Sequence, residues 1–285
     1  MVCKLLRDDG DEVVEATSRA DDEDTVFYEI DRVKPDRMMC FIGRTHGGGY
    51  STIDYLEQKG SLQINVRDNL YAPLCLAMMA KKCGVHFTYL GTGCIFEYEN
   101  LDTAAVSSSD EIPELYDGFK PESKPNFFGS SYSTVKGFTD RLMHILDEKL
   151  GAPVLNARIR MPIVSYHNER NLITKLTKYA KICSVPNSMT ILDEMLPVLI
   201  KYAREERTGT VNLVNPGVIT HNEILELYKQ YVDPSFTCIN FTLEDQAKIL
   251  AGGRSNNYLE ANFDESLNVS NIEDGVRRVM ERWRR

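Results

Sequence analysis

Val85-His86-Phe87-Thr88-Tyr89-Leu90-Gly91-Thr92-Gly93-Cys94 is the stretch on which the fold turns. Its first six residues are an apolar run of strand length, and the glycines that follow mark a turn at its end. Ahead of it a helical pattern runs from about Leu62 to Cys83, with Gly84 at its end and Pro73 as a candidate kink. A second apolar run, Met38-Met39-Cys40-Phe41-Ile42, precedes that helix and passes into Gly43 and the loop Arg44-Thr45-His46-Gly47-Gly48-Gly49. Val154–Arg158 reads as a further strand. Strands alternating with helices predict βαβ units and a doubly wound parallel α/β sheet. Ligands of such sheets bind beyond the carboxyl ends of the strands, where both glycine-containing loops lie.

Working outward, residues 1–9 read as a helix stopped by Gly10, Glu12–Thr17 as a short strand, and Asp21–Val33 as an exposed helix ended near Pro35. Residues 101–126, rich in Pro, Asp and Gly, read as a surface excursion. Helices are expected near 170–181, 193–206, 221–231 and 242–250. The third opens on Thr220-His221-Asn222-Glu223, a capping box. A dinucleotide-binding sheet ordinarily opens with a strand, a glycine-rich turn and a helix that receives the pyrophosphate. This sequence begins inside what corresponds to that helix. The expectation is a Rossmann-like sheet with its first strand and phosphate loop absent, and an apolar strand with a GxxGxxG turn encoded just upstream.

The 285 residues can bury a sizeable core, and 42% apolar with 26% charged residues is ordinary for a globular protein. A net charge of −9 argues against a nucleic-acid partner, which calls for a basic face. The seven cysteines are scattered without a CxxC pair, which suits reduced thiols in a cytoplasmic protein and gives no metal site. No apolar run reaches the ~18 residues of a membrane span, so no membrane partner is expected.

Tyr132-Ser133-Thr134-Val135-Lys136 places a phenol and an ammonium one helical turn apart on one face. An ammonium beside a phenol favours the phenolate, so Lys136 is expected to lower the Tyr132 pKa and make it a proton donor near neutrality. Thr92 and Cys94, two apart, would project to the same side if the strand continues. Together these residues suit chemistry on a carbonyl. Taken alone, the Tyr and Lys also describe a solvent-facing helix pair, and Cys94 a small buried hydrophobe.

Longer motifs carry a resemblance. They are Leu90-Gly91-Thr92-Gly93-Cys94-Ile95-Phe96-Glu97-Tyr98, Arg160-Met161-Pro162-Ile163, Asn171-Leu172-Ile173-Thr174-Lys175, Pro186-Asn187-Ser188-Met189-Thr190-Ile191-Leu192-Asp193-Glu194, Asn215-Pro216-Gly217-Val218, His221-Asn222-Glu223-Ile224-Leu225-Glu226 and Arg254-Ser255-Asn256-Asn257. From residue 1 to about 260 the chain resembles the bifunctional nucleotide-rhamnose epimerase/reductases. These are extended short-chain dehydrogenase/reductases related to dTDP-4-dehydrorhamnose reductase. The resemblance implies 3,5-epimerisation and NADPH-dependent 4-keto reduction of UDP-4-keto-6-deoxy-D-glucose, giving UDP-L-rhamnose.

It assigns Thr92, Tyr132 and Lys136 to reduction, with Tyr132 and Lys136 also at the cofactor, Lys136 on a ribose hydroxyl, and it assigns Cys94 with Lys175 to epimerisation. A thiol near ~8.5 would fall beside cations. His167 is a rival to Lys175, which by pattern alone is a helix-face lysine. Ser18 and Arg19 would meet the 2′-phosphate of NADP, although a surface Arg reads equally well there. Gly43, Arg44, Thr45 and Asn69 would line the cofactor's path, with Met161, Pro162 and Ile163 at the nicotinamide. Asn187, Arg254 and Asn257 would hold the nucleotide sugar, together with Thr92 and Cys94. Residues 1–162 with 191–213 would form the NADP-binding domain. Residues 163–190 with 214–285 would form a smaller C-terminal substrate lobe. A homodimer is compatible with the resemblance. Two other readings stand beside it: a plain dTDP-sugar reductase, against which Cys94 counts because such reductases carry a tyrosine there, and a non-catalytic subunit of the same fold.

Overall fold

The structure, a computed structural model, describes residues 1–103, 106 and 108–283. Residues 104, 105 and 107 of the expected surface excursion lie outside the described residues. In chain order the elements begin α1 (Val2–Asp8), α2 (Glu23–Val33), β1 (Arg37–Cys40), α3 (Ser61–Val66), α4 (Ala72–Cys83) and β2 (His86–Thr92). Next come α5 (Ile112–Leu115), α6 (Ser131–Glu148), β3 (Val154–Ile159), β4 (Pro162–Ile163), α7 (Leu172–Leu176) and β5 (Thr190–Ile191). The chain ends with α8 (Leu192–Arg204), β6 (Gly209–Asn212), α9 (His221–Tyr231), α10 (Leu243–Ala247) and α11 (Ile272–Trp283).

Two compact units result. The first takes Met1–Ile95, Lys124–Arg158 and Leu196–Val211, and the second takes Phe96–Ser123, Ile159–Met195 and Asn212–Arg285. The segment 96–123, expected in the first body, belongs to the second because its partners are there. Phe119 bridges Leu259, Ser109 Oγ donates to Glu223 at 2.9 Å, and Tyr98 Oη donates to the Pro186 carbonyl at 3.1 Å.

The first unit is the expected Rossmann-like α/β body. Its sheet runs β1-β2-β3-β6, with β1 and β2 parallel in the register Arg37↔His86 to Cys40↔Tyr89. Val26 and Ile30 of α2, Ala77 and Met79 of α4, Phe87 of β2 and Met143 of α6 form its core. The strand expected at Glu12–Thr17 does not form. A strand exists only where a neighbour completes its ladder, and among the described residues β1 pairs with β2 alone. Instead the amides of Thr17 and Ser18 donate to the Glu29 carboxylate at 2.9 to 3.2 Å. Arg204 ties the end of α1 to α8 through Asp9 at 3.0 Å and Asp11 at 2.5 Å.

Pro73 has the effect that proline chemistry dictates. It cannot donate to the carbonyl four residues back. The chain takes a π-helical turn over Arg67–Tyr71, and the Thr139 hydroxyl of α6 donates to the orphaned Asn69 carbonyl at 2.7 Å. In the second unit Ile163, Ile173, Ile191, Ile224 and Val276 make a separate core. There the capping box at Thr220 and Glu223 forms in both directions.

Candidate functional site

The carboxyl end of β2 and the start of α6 build a buried polar cluster in the first unit. Gly91 is required here, because a Cβ on it would sit 2.5 Å from Asn156 Oδ1. Beyond it Thr92 Oγ1 accepts from the Cys94 amide at 3.1 Å, which fixes the turn carrying both side chains. Ser130 caps α6 by accepting from the Ser133 amide at 3.0 Å. The capped first turn presents Tyr132, with Lys136 one turn on, and both are buried.

Burial holds the Tyr132 phenol well above its ordinary pKa. The nearby Cys94 thiol adds to the rise, and a hydrogen bond with the Thr92 hydroxyl opposes it. Burial also brings Lys136 down to about 8, against the opposing pull of Cys40, Asp140 and Cys94. The expectation that Lys136 depresses Tyr132 is therefore corrected. The Lys136 ammonium donates to the Tyr89 hydroxyl, so its charge is directed at another phenol. Tyr132 stays a neutral proton carrier, with Thr92 and Cys94 at its side.

Beyond β1 lies a cavity of about 340 Å³ lined by Arg19, Ile42, Gly43, Arg44, Arg67 and Asp68 among others. Arg44 pairs with Asp68 at 2.5 Å, Arg67 with Asp68 at 2.6 Å and Arg19 with Asp21 at 2.8 Å. Asn69 points its amide at the loop itself: Oδ1 accepts from the Arg44 amide at 2.8 Å, and Nδ2 donates to the Arg44 carbonyl at 2.9 Å. Its second N–H goes to Asn65 Oδ1 at 2.8 Å, so both donors are engaged within the protein. Ser18 donates to the Thr25 carbonyl at 3.0 Å, and Thr45 Oγ1 lies 3.4 Å from His46 Nδ1.

The second unit holds the remaining candidates. Lys175, on α7, is lowered in pKa by burial and by neighbouring Arg170. His167 stacks on Trp283 with ring centroids 4.1 Å apart. Met161 has a left-handed backbone, φ 41°, which a long side chain adopts only under tertiary constraint. After it Pro162 is exposed, while Ile163 is wholly buried in the second core.

Asn187 is saturated. Its Oδ1 accepts from Arg160 Nη2 and from the Asn257 amide, and its Nδ2 donates to the Val185 carbonyl and Asn256 Oδ1. No donor remains for a substrate, so Asn187 braces the Ser255–Asn257 loop. Asn257 Nδ2 donates to the Phe96 carbonyl and Ser255 Oγ, each at 2.9 Å. Arg254 Nη1 donates to the Gly252 carbonyl at 2.7 Å. Two contributors escaped the sequence reading, Arg67 and Tyr89. Arg67 sits in a helical pattern with nothing to mark it, and Tyr89 reads as an ordinary strand aromatic.

Fold and cluster together define a Rossmann-like α/β protein of the short-chain dehydrogenase/reductase type. No protein-family model matches the chain. Protein L780 of Acanthamoeba polyphaga mimivirus is 54% identical over 286 residues, covering all of this chain and 94% of its own length. The crystal structure of the L780 UDP-rhamnose synthase superposes with a TM-score of 0.89 over 99% of this chain and 94% of that one. An Arabidopsis thaliana bifunctional dTDP-4-dehydrorhamnose 3,5-epimerase/dTDP-4-dehydrorhamnose reductase is 40% identical over 259 residues, 90% of this chain and 80% of its own length. In fold alone, the dTDP-4-dehydrorhamnose reductase of Bacillus anthracis matches at a TM-score of 0.72 and 14% identity over 98% of this chain and 94% of its own. The chain belongs to the bifunctional nucleotide-rhamnose epimerase/reductase family.

Proposed function

We propose that this protein is an NADPH-dependent enzyme that converts UDP-4-keto-6-deoxy-D-glucose to UDP-L-rhamnose by epimerising carbons 3 and 5 and then reducing carbon 4. The observation that carries the reading is the gathering of Thr92, Cys94 and a buried, neutral Tyr132 at the end of one strand, within a family of that activity.

The cavity beyond β1 fits the cofactor. It brings three guanidiniums (Arg19, Arg44, Arg67) against two carboxylates (Asp21, Asp68), 3 − 2, a net charge of +1. Guanidinium forks suit phosphate oxygens and a 2′-phosphate. Ser18, Gly43, Thr45 and Asn69 shape the approach, Asn69 by holding the Arg44 loop. When bound, NADPH supplies the reducing equivalent.

The chain's own groups manage the protons. Thr92 and Tyr132 address the keto oxygen, and the same contacts stabilise the enolate that makes the neighbouring carbons acidic. Tyr132 gives its proton to the alkoxide that develops at carbon 4, a stronger base than phenolate. Lys136 supplies positive charge nearby. Cys94 and Lys175 are assigned the epimerising proton transfers. Arg254 is assigned the diphosphate, with Asn257 and Asn187 holding its loop.

The protein acts in the cytoplasm, a reading that its free thiols support. It acts as a homodimer, an assembly that a monomer by size-exclusion chromatography would overturn. The activity is tested by supplying UDP-4-keto-6-deoxy-D-glucose and NADPH. Cofactor oxidation with UDP-L-rhamnose as product is expected, and no oxidation would overturn it.

A further inference from the structure

We propose that Tyr89 is a positioning residue for Lys136: from the internal strand β2 its hydroxyl receives the ammonium, keeps it charged and fixes where it sits. The proposal rests on the reading of Lys136 as the lysine of the reductive step.

Lys136 is 4% exposed, and a buried ammonium lacking an acceptor gives up its proton near neutrality. A carboxylate is its usual partner, yet the carboxylate one turn along α6 is engaged elsewhere. Asp140 takes two hydrogen bonds of 2.8 Å from Arg158 and one of 2.8 Å from Asn156. Arg158 already balances the Asp140 charge. Among the described residues Tyr89 Oη is the one atom that accepts a hydrogen bond from Lys136 Nζ.

Strand pairing fixes that oxygen, because Tyr89 lies opposite Cys40 in the β1–β2 register and is 1% exposed. The ring also lies under the ammonium, 4.7 Å from Nζ to the centroid, a cation–π contact. Burial keeps the Tyr89 hydroxyl protonated, so it serves as a neutral dipole that cannot compete with Tyr132 as a base. The titratable groups acting on Lys136 are Cys40 from β1, Cys94 from the turn after β2 and Asp140 from α6, with Tyr132 beside Tyr89. None of the three replaces the hydrogen bond that Tyr89 accepts.

Tyr89→Phe keeps the ring and removes the acceptor. The apparent pKa of Lys136 is read in the cofactor-free protein by competitive acylation with an amine-directed reagent, followed by peptide mass spectrometry. It should fall by about one unit from its value of about 8. An unchanged value overturns the proposal. Neither substrate nor NADPH enters that measurement, so its outcome is independent of the rhamnose reading. If Tyr89→Phe melts early, adding Lys136→Met should restore the melting temperature, since no ammonium is then left without a partner. A double variant as unstable as the single one would show that Tyr89 acts only through packing. In turnover, Tyr89→Phe should lose about twofold at pH 7 and approach tenfold by pH 9, recover on acidification, and cost nothing further in the Lys136→Met background. A loss equal at every pH contradicts the assignment.

Discussion

Strands β1 and β2 lie side by side, parallel and in register, yet their carboxyl ends could hardly differ more. β2 is internal, and its end delivers a turn whose side chains are buried and hydrogen-bonded: Thr92 to the Cys94 amide and to Tyr132, Tyr89 to Lys136. β1 is an edge, and its end runs into Phe41 and Ile42, 44% and 38% exposed, before reaching the arginine-lined cavity. An edge strand offers unpaired N–H and C=O groups along one side. The Thr92–Tyr132 cluster thus rests on an internal strand, while the arginine-lined cavity lies beyond a strand that, among the described residues, is bonded along one side. Affinity for NADPH and catalytic competence should therefore respond to different changes.

The sharpest break between the two ends should come from Tyr132→Phe. It removes the proton donor and leaves the arginine cavity untouched. Reductive kcat should fall by about 10²–10⁴-fold, with NADPH binding by fluorescence unchanged. A loss of NADPH binding of similar size would join what the account keeps separate.

Cys94→Ala should divide the chemistry further. Exchange of the carbon 3 and carbon 5 protons should fall by about 10²-fold or more, while reduction of an already epimerised 4-keto sugar stays within about threefold. Equal loss of both would remove Cys94 from its role.

Arg19→Ala should have the smallest effect. NADPH affinity should weaken by about tenfold and NADH affinity should not move, as read by paired titrations. Equal weakening would place Arg19 away from the 2′-phosphate.

Legibility followed the same divide. Local patterns were readable: the Tyr132–Lys136 spacing, the Thr220 capping box, the proline break at Pro73 and the strand runs at Met38 and Val85. What failed needed a partner distant in sequence. Glu12–Thr17 has strand composition, but without a neighbouring strand its backbone turned to Glu29. The direction of the Lys136 ammonium depends on Tyr89, 47 residues away, which is invisible to an i,i+4 argument. Asn187 and Asn69 look like ligand-binding amides in a motif. Their hydrogen bonds to the chain itself are fixed only by folding. The motif resemblance found the family because long stretches carry it, whatever any single side chain contacts.

The central claim, that one protein performs two chemistries on one ketone, is tested most directly in D2O. UDP-4-keto-6-deoxy-D-glucose and NADPH are supplied to the wild type and to Cys94→Ala, and the product is read by NMR. The account predicts UDP-L-rhamnose deuterated at carbons 3 and 5 from the wild type, and no such product from Cys94→Ala. NADPH oxidation by the wild type giving a sugar with the original protons at carbons 3 and 5 would contradict it.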